Sequence, residues 1–324
     1  MNTKIHHESI MVPLPKGDQL HIKRFRGSSS SAPILMLPSL MEDGKVFYSN
    51  TGKGLAPYLA KQGYDVFVAD FRGKGRSWPC VSAKSNNGYH QAICEDIPAL
   101  VKTVTAKHGV APQYWVAHGT AGSWLASFLA RYPDQSSQVA GIVYFGSRRQ
   151  LTVGGISRYL IIDLLWRQVG AMAVKLQGFL PAKRLKLGSA DETKRTYQDA
   201  IKWEREGRWI DPEDGFDYGV AAQEIAYPPS LYFAALGDKA LGHVQDVRRF
   251  IFEMGDHNGR LVLLGKKLGN KSDYSHVGQL IQDEAVSDHF MLLVEWLQEI
   301  RAKKSLREKM TSAPAVERVE HIVE

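Results

Sequence analysis

Cysteine is scarce in this sequence: Cys80 and Cys94 are the only two in 324 residues. They show neither C-x-x-C spacing nor a His/Cys cluster, which excludes zinc and redox motifs. Two ordinary thiols in a reducing compartment are expected rather than a disulfide. No run approaches the ~18 consecutive apolar residues of a membrane span. The stretch from Met1 to Glu8 has no apolar core of the signal-peptide kind. A cytoplasmic protein with no integral membrane segment is therefore expected. Lys and Arg outnumber Asp and Glu by 41 to 34, for a net charge of +7. Such an excess favours anionic partners. The basic residues are scattered, however, as with Lys102, Lys107, Lys202, Arg205 and Arg208 on what read as solvated helix faces. No basic stripe with interleaved aromatics appears, so nucleic acid is not expected as a partner. Internal repeats are missing, and neither a metal nor an organic cofactor has a motif here.

What is present is an alternation of apolar runs with helical segments. Residues 9–13 and 20–25 read as a hairpin around Lys16-Gly17-Asp18. Ser28 to Ser31 form a surface loop. Continuous apolar runs at 34–37, 64–70, 113–117, 141–146, 230–236 and 260–264 suit strands buried on both faces of a parallel sheet. Helical patterns at 54–62, 93–107, 124–132 and 283–302 separate or follow them. The implied fold class is α/β, a mainly parallel sheet flanked by helices. Residues 147–226 break the alternation and read as a helical cap inserted between a first core part, 1–146, and a second, 227–302. Residues 303–324 form a charged C-terminal tail. Ligands in sheets of this kind collect at the carboxyl ends of the strands.

The stretch from Val116 to Ser123 follows one such strand end. Strand, tight small-residue turn and helix make the context of a nucleophile elbow, G-x-S-x-G. Ala117 stands at the first glycine, Ala121 at the second, and Gly119 at the serine. The architecture is kept and the nucleophilic oxygen is absent. Thr120 and Ser123 are nearby hydroxyls that read as structural; Ser39 is another hydroxyl near the strand ends, in the loop expected to supply oxyanion donors.

These pieces resemble the α/β-hydrolase superfamily, in particular esterase- and lipase-like members with a helical cap. The stretch from Gly63 to Ser77 is similar to the family block G-[YF]-x-V-x-x-x-D-x-R-G-x-G-x-S. The elbow follows, then Gly237-Asp238 after a strand, where the family places its acid. His276 lies in a loop before the last helix, where the family places its base. The resemblance implies that Asp238 holds the His276 tautomer and that His276 handles the proton. Asp256 and His257 are an outside alternative; His243 and His289 compete poorly. His118, just before the apex, resembles a common family histidine and is expected to pack. Many members carry His-Gly after the first buried strand; here the residues are Pro38-Ser39-Leu40. The oxyanion donors implied are the main-chain N–H groups of Thr120 and of Ser39 or Leu40.

Loss of a triad serine costs on the order of 10⁶ in kcat. Three readings remain open. The chain is a degenerate scaffold that binds a small hydrophobic or acyl-type ligand. Alternatively, it is an enzyme in which His276 acts as a general base on water or substrate without a covalent step. Or it is an ordinary ester or thioester hydrolase whose serine was substituted at Gly119. Trp166, Leu176, Phe179, Trp203 and Trp209 are candidates for an apolar pocket lining.

Overall fold

A computed structural model describes residues 5–27, 31–109, 111–205 and 207–312. Most of the serine loop expected at 28–31, and the tail from residue 313 on, lie outside the described residues. The hairpin forms from β1 (His6–Pro13) and β2 (Gln19–Arg26), paired antiparallel. The apolar runs become β3 (Pro33–Leu37), β4 (Asp65–Asp70), β5 (Gln113–His118) and β6 (Val139–Phe145). A short ribbon, β7 (Phe179–Leu180) and β8 (Glu192–Thr193), precedes β9 (Ser230–Ala235) and β10 (Gly259–Leu264). The eight-stranded sheet has the order β1-β2-β4-β3-β5-β6-β9-β10 and is parallel from β4 to β10.

The continuous apolar runs are explained by burial on both faces. Successive strand residues point to opposite sides, and both sides meet helices. Leu35, Leu37, Trp115 and Ala117 pack with Trp124, Leu125 and Leu129. Ile34, Met36, Tyr114 and Val116 pack with Leu55, Leu59, Leu293 and Trp296 on the other side. Burying a side chain of this size is worth about 1.5–3 kcal/mol, so a shift in register by one residue would exchange two packed faces. The last helix runs His289–Ser312, ten residues past the end expected from the apolar pattern. Charged residues favour solvated helix as readily as coil.

Between β6 and β9 the chain leaves the sheet. It contributes a helical stretch over Ile156–Gln177, the ribbon, and helices Lys194–Arg205 and Tyr218–Glu224. An aromatic cluster of Tyr89, Trp203, Trp209 and Tyr218 ties this segment to the core through edge-on contacts. No helix among the described residues is long and apolar enough to cross a membrane.

Candidate active site

β5 ends at His118, and the helix Thr120–Arg131 begins one residue after Gly119. Gly119 has φ 51° and ψ −123°, a conformation that costs an L-residue and suits glycine. Its N–H donates to Phe145 O at 2.9 Å, which closes the turn onto β6. Small residues are needed on the next turn as well. A Cβ on Gly122 would run into Ser147 and come within 3.0 Å of the Tyr144 ring. Ser123 Oγ donates back to Thr120 O at 2.8 Å and faces the helix interior rather than the site.

Opposite the elbow stand Asp238, after β9, and His276, after β10. His276 Nδ1 donates to Asp238 Oδ2 at 2.6 Å, and both residues are buried. Burial drives the Asp238 carboxyl up, but the His276 imidazole and the Leu241 and Gly242 N–H groups outweigh this and hold it well below the usual carboxylate range. Burial lowers His276 from its ordinary 6.5; Asp238 opposes that shift and His118 adds to it. The imidazole is thus neutral at pH 7, with its Nε2 lone pair unpartnered among the described residues. Nε2 lies 3.0 Å from where a Cβ on Gly119 would stand.

A second acid–histidine pair backs the first. His118 Nδ1 donates to Glu42 Oε2 at 2.7 Å, and the His118 ring lies against that of His276, centroids 4.2 Å apart. His118 Nε2 contacts His276 O at 3.1 Å. Burial pushes the Glu42 carboxyl up, yet the His118 and His276 rings prevail and lower it. Glu42 also accepts the Ser39 N–H at 3.0 Å, so that main-chain donor is engaged. The Leu40 N–H has no partner among the described residues. The Thr120 N–H donates to Ser39 Oγ at 3.0 Å. Ser39 therefore enters the site through its hydroxyl rather than its N–H.

The loop carrying Ser39 is fixed from outside the sheet. Met41 sits at φ 57°, a rare conformation for an L-residue with a bulky side chain. It is pinned there by its N–H to Glu192 Oε1 at 2.5 Å and by Ala190 N–H to Met41 O at 2.9 Å. The Asp43 N–H donates to Ser189 Oγ at 3.0 Å. Glu192 in turn pairs with Lys74 Nζ at 2.6 Å, and Lys74 also reaches Ser39 O at 3.3 Å.

A cavity of about 320 Å³ opens over Ser39, Thr120 and His276. Its apolar walls include Ile161, Ile162, Trp166, Leu187, Leu241 and Ile281. Of the aromatic and apolar residues proposed from the sequence, Trp166 lines the cavity. Trp203 and Trp209 are core, Leu176 is exposed, and Phe179 lies elsewhere. Arg148 also faces the cavity. Its Nε donates to Leu241 O at 2.6 Å and its Nη1 to Thr120 Oγ1 at 3.1 Å, with no carboxylate within 4.0 Å among the described residues. Glu204 is another charged residue of the cavity wall, which also holds Glu42, Asp43 and Lys45; burial raises the Glu204 carboxyl, and Arg148 opposes the rise.

Glu42, Arg148, Glu204 and the Lys74–Glu192 pair were not singled out in the sequence. Each is a lone charged residue in a loop, on a helix or, for Glu192, in the short strand β8, with no spacing that sets it apart. The competing histidines sit elsewhere. His257 Nε2 contacts the Tyr232 hydroxyl, His243 caps its own helix, and His289 bonds to Gln279 O. Cys80 and Cys94 are free thiols. His90, Cys94 and Asp211 bring three metal-type ligand atoms within 4.8 Å of one another. Asp211 is already bonded by Arg131, Tyr218 and His90, and the Arg131 guanidinium opposes a cation there.

A family model described as serine aminopeptidase, S33, matches residues 42–199. Among solved structures, an esterase from Pyrococcus furiosus superposes with a TM-score of 0.57 at 14% identity, covering 91% of this chain and 91% of that one. A bromoperoxidase from Bacillus anthracis gives 0.57 at 11% identity, covering 90% and 100%. The thioesterase domain of the curacin biosynthetic pathway gives 0.54 at 14% identity, covering 89% and 99%. No curated protein matches significantly. Sheet order and elbow agree with these structures, and the chain has the α/β-hydrolase fold.

Proposed function

We propose that this protein binds an apolar, acyl-type small molecule in the cavity over the elbow and that His276 acts on it as a general base. One observation carries the reading: His276 Nε2 is unpartnered among the described residues at that cavity, while Nδ1 is fixed on Asp238 at 2.6 Å. An imidazole locked in this tautomer presents a lone pair to whatever proton donor enters. The apolar walls suit an acyl chain. Arg148, held by Leu241 O and Thr120 Oγ1 and offsetting the buried Glu204 carboxyl, places a cation at the cavity where a product carboxylate would need one. The neighbours called esterase and thioesterase are consistent with ester or thioester chemistry.

The alternative, a scaffold that binds such ligands without turnover, is favoured by one fact, the glycine at position 119. Hydrolysis of p-nitrophenyl esters of two to eight carbons separates the two. Turnover by the wild type that vanishes in His276→Ala supports the base. Ligand binding, seen as a change in tryptophan fluorescence through Trp166, with no turnover at any chain length, supports the scaffold.

A further inference from the structure

The superfamily pattern to which the sequence is similar places glycine after the first buried strand and serine at the elbow. Here those positions hold Ser39 and Gly119, so the two residue types are exchanged across the seam between β3 and β5. The exchange has a spatial counterpart. A Cβ built on Gly119 would collide with Ser39 Oγ and would lie 3.0 Å from Ser39 Cβ. The Ser39 hydroxyl occupies the room that a side chain at the elbow would fill. It is buried, and its oxygen accepts the Thr120 N–H at 3.0 Å. Its own proton has no acceptor among the described residues, and neither does His276 Nε2 have a donor. Both groups border the same point, and they are not hydrogen-bonded to each other in the resting arrangement.

We infer that Ser39 is the nucleophile of this site, contributed by the loop after β3 instead of by the elbow, and that it attacks an ester or thioester of an apolar acyl group. This inference rests on the reading of His276 as base. An entering carbonyl oxygen displaces Ser39 Oγ from the Thr120 N–H and takes that bond, together with the unpartnered N–H of Leu40. The freed hydroxyl gives its proton to His276 Nε2 as the Oγ–C bond forms, and the carbonyl electron pair moves onto oxygen. Collapse of that oxyanion expels the alkoxide or thiolate, which receives the proton from His276. Water then attacks the acyl-Ser39 ester and passes its proton to His276. The tetrahedral intermediate collapses, the C–Oγ bond breaks, Ser39 Oγ takes the proton back from His276, and the acid leaves. The family's N–H donor is the residue after its nucleophile. Leu40 stands in that relation to Ser39, so one loop supplies both the attacking oxygen and a donor for the charge it creates.

The competing explanation is that Ser39 merely fills a gap and satisfies the Thr120 N–H. Labelling of the full chain with a fluorophosphonate, and acid quenching during turnover of p-nitrophenyl butyrate, followed by peptide mapping, separate the two. The expected result is one adduct, on Ser39, absent from Ser39→Ala and formed at least ~100-fold more slowly in His276→Ala. Turnover in Ser39→Ala should fall by ~10³-fold or more, toward the loss seen when a triad serine is removed. Ser39→Cys should retain acylation and become sensitive to iodoacetamide, which separates loss of the oxygen from loss of the fold. An adduct at any other residue overturns the inference. So does turnover by Ser39→Ala within tenfold of wild type; if His276→Ala still abolishes that turnover, His276 acts on water and the broader reading survives. No adduct and no turnover in the wild type overturns both.

Discussion

Replacing Lys74 by methionine should destabilise the fold by about 3–5 kcal/mol, the range for breaking a buried ion pair from one side. The side chains of Lys74 and Glu192 are 3% and 2% exposed, and their polar atoms are 2.6 Å apart. In Lys74→Met, Glu192 keeps the Met41 N–H as its hydrogen-bond donor but loses its counter-charge in a site closed to water. Replacing Glu192 by glutamine alone strands the ammonium instead. The double variant Lys74→Met/Glu192→Gln removes both charges and keeps an amide oxygen for Met41. It should lie within about 2 kcal/mol of wild type, since exchanging a buried pair for neutral groups is often close to neutral. Urea unfolding followed by tryptophan fluorescence, with an unchanged m-value, gives the four corners of the cycle. If Lys74→Met costs under ~1 kcal/mol, or if the two single losses simply add, the buried pair does not couple as its geometry implies.

Gly119→Ser alone should be destabilised by overpacking against Ser39 Oγ, and Ser39→Gly/Gly119→Ser should recover about 1–3 kcal/mol of that loss; thermal melts check this, and equal melting of the two variants refutes it. In the double variant the fluorophosphonate adduct should move to position 119. The acid limb of kcat/KM should have its midpoint below 6.5, because burial lowers His276 and the base stays neutral further into acid; a midpoint above 7 contradicts this. Asp238→Asn should cost about 10⁴-fold in kcat by releasing the tautomer, with little change in melting. Asp199 is raised from 3.8 to about 6, by burial first and by Asp211 as well. A carboxyl so raised disfavours the fold by up to about 3 kcal/mol above pH 6, and the penalty disappears below 3.8, where both states are protonated. Asp199→Asn keeps an acceptor for the Tyr89 N–H. It should therefore raise the melting temperature at pH 7.5 and leave it unchanged near pH 3.5.

The sheet was legible in the sequence because its strands are buried on both sides, and continuous apolar runs such as Ile34–Leu37 and Tyr114–Ala117 leave few other folds. The elbow was legible because a turn that tight admits only small residues. Asp238 and His276 were named because they stand where the family resemblance places its acid and base, and the structure sets them 2.6 Å apart. What the sequence concealed were contacts over long separations that obey no period. Ser39 and Thr120 are 81 positions apart, Met41 and Glu192 are 151 apart, and Glu42 and His118 are 76 apart. Ser39 itself was visible only as a hydroxyl in the loop that supplies main-chain donors. Nothing in its neighbours says that its oxygen would fill the room left by Gly119. The length of the last helix was hidden for another reason: past residue 302 its face carries charge, and an apolar pattern cannot mark where such a helix ends.

The loop after β3 is fastened to residues 189–192 by the Met41 and Asp43 N–H groups and the Met41 carbonyl. Residues 187–189 are also part of the cavity wall. If that wall swings outward to admit a molecule, it pulls on a strained residue two places from Ser39. Admission and reactivity would then depend on a single moving part, and a visitor too small to displace the wall would leave the loop at rest.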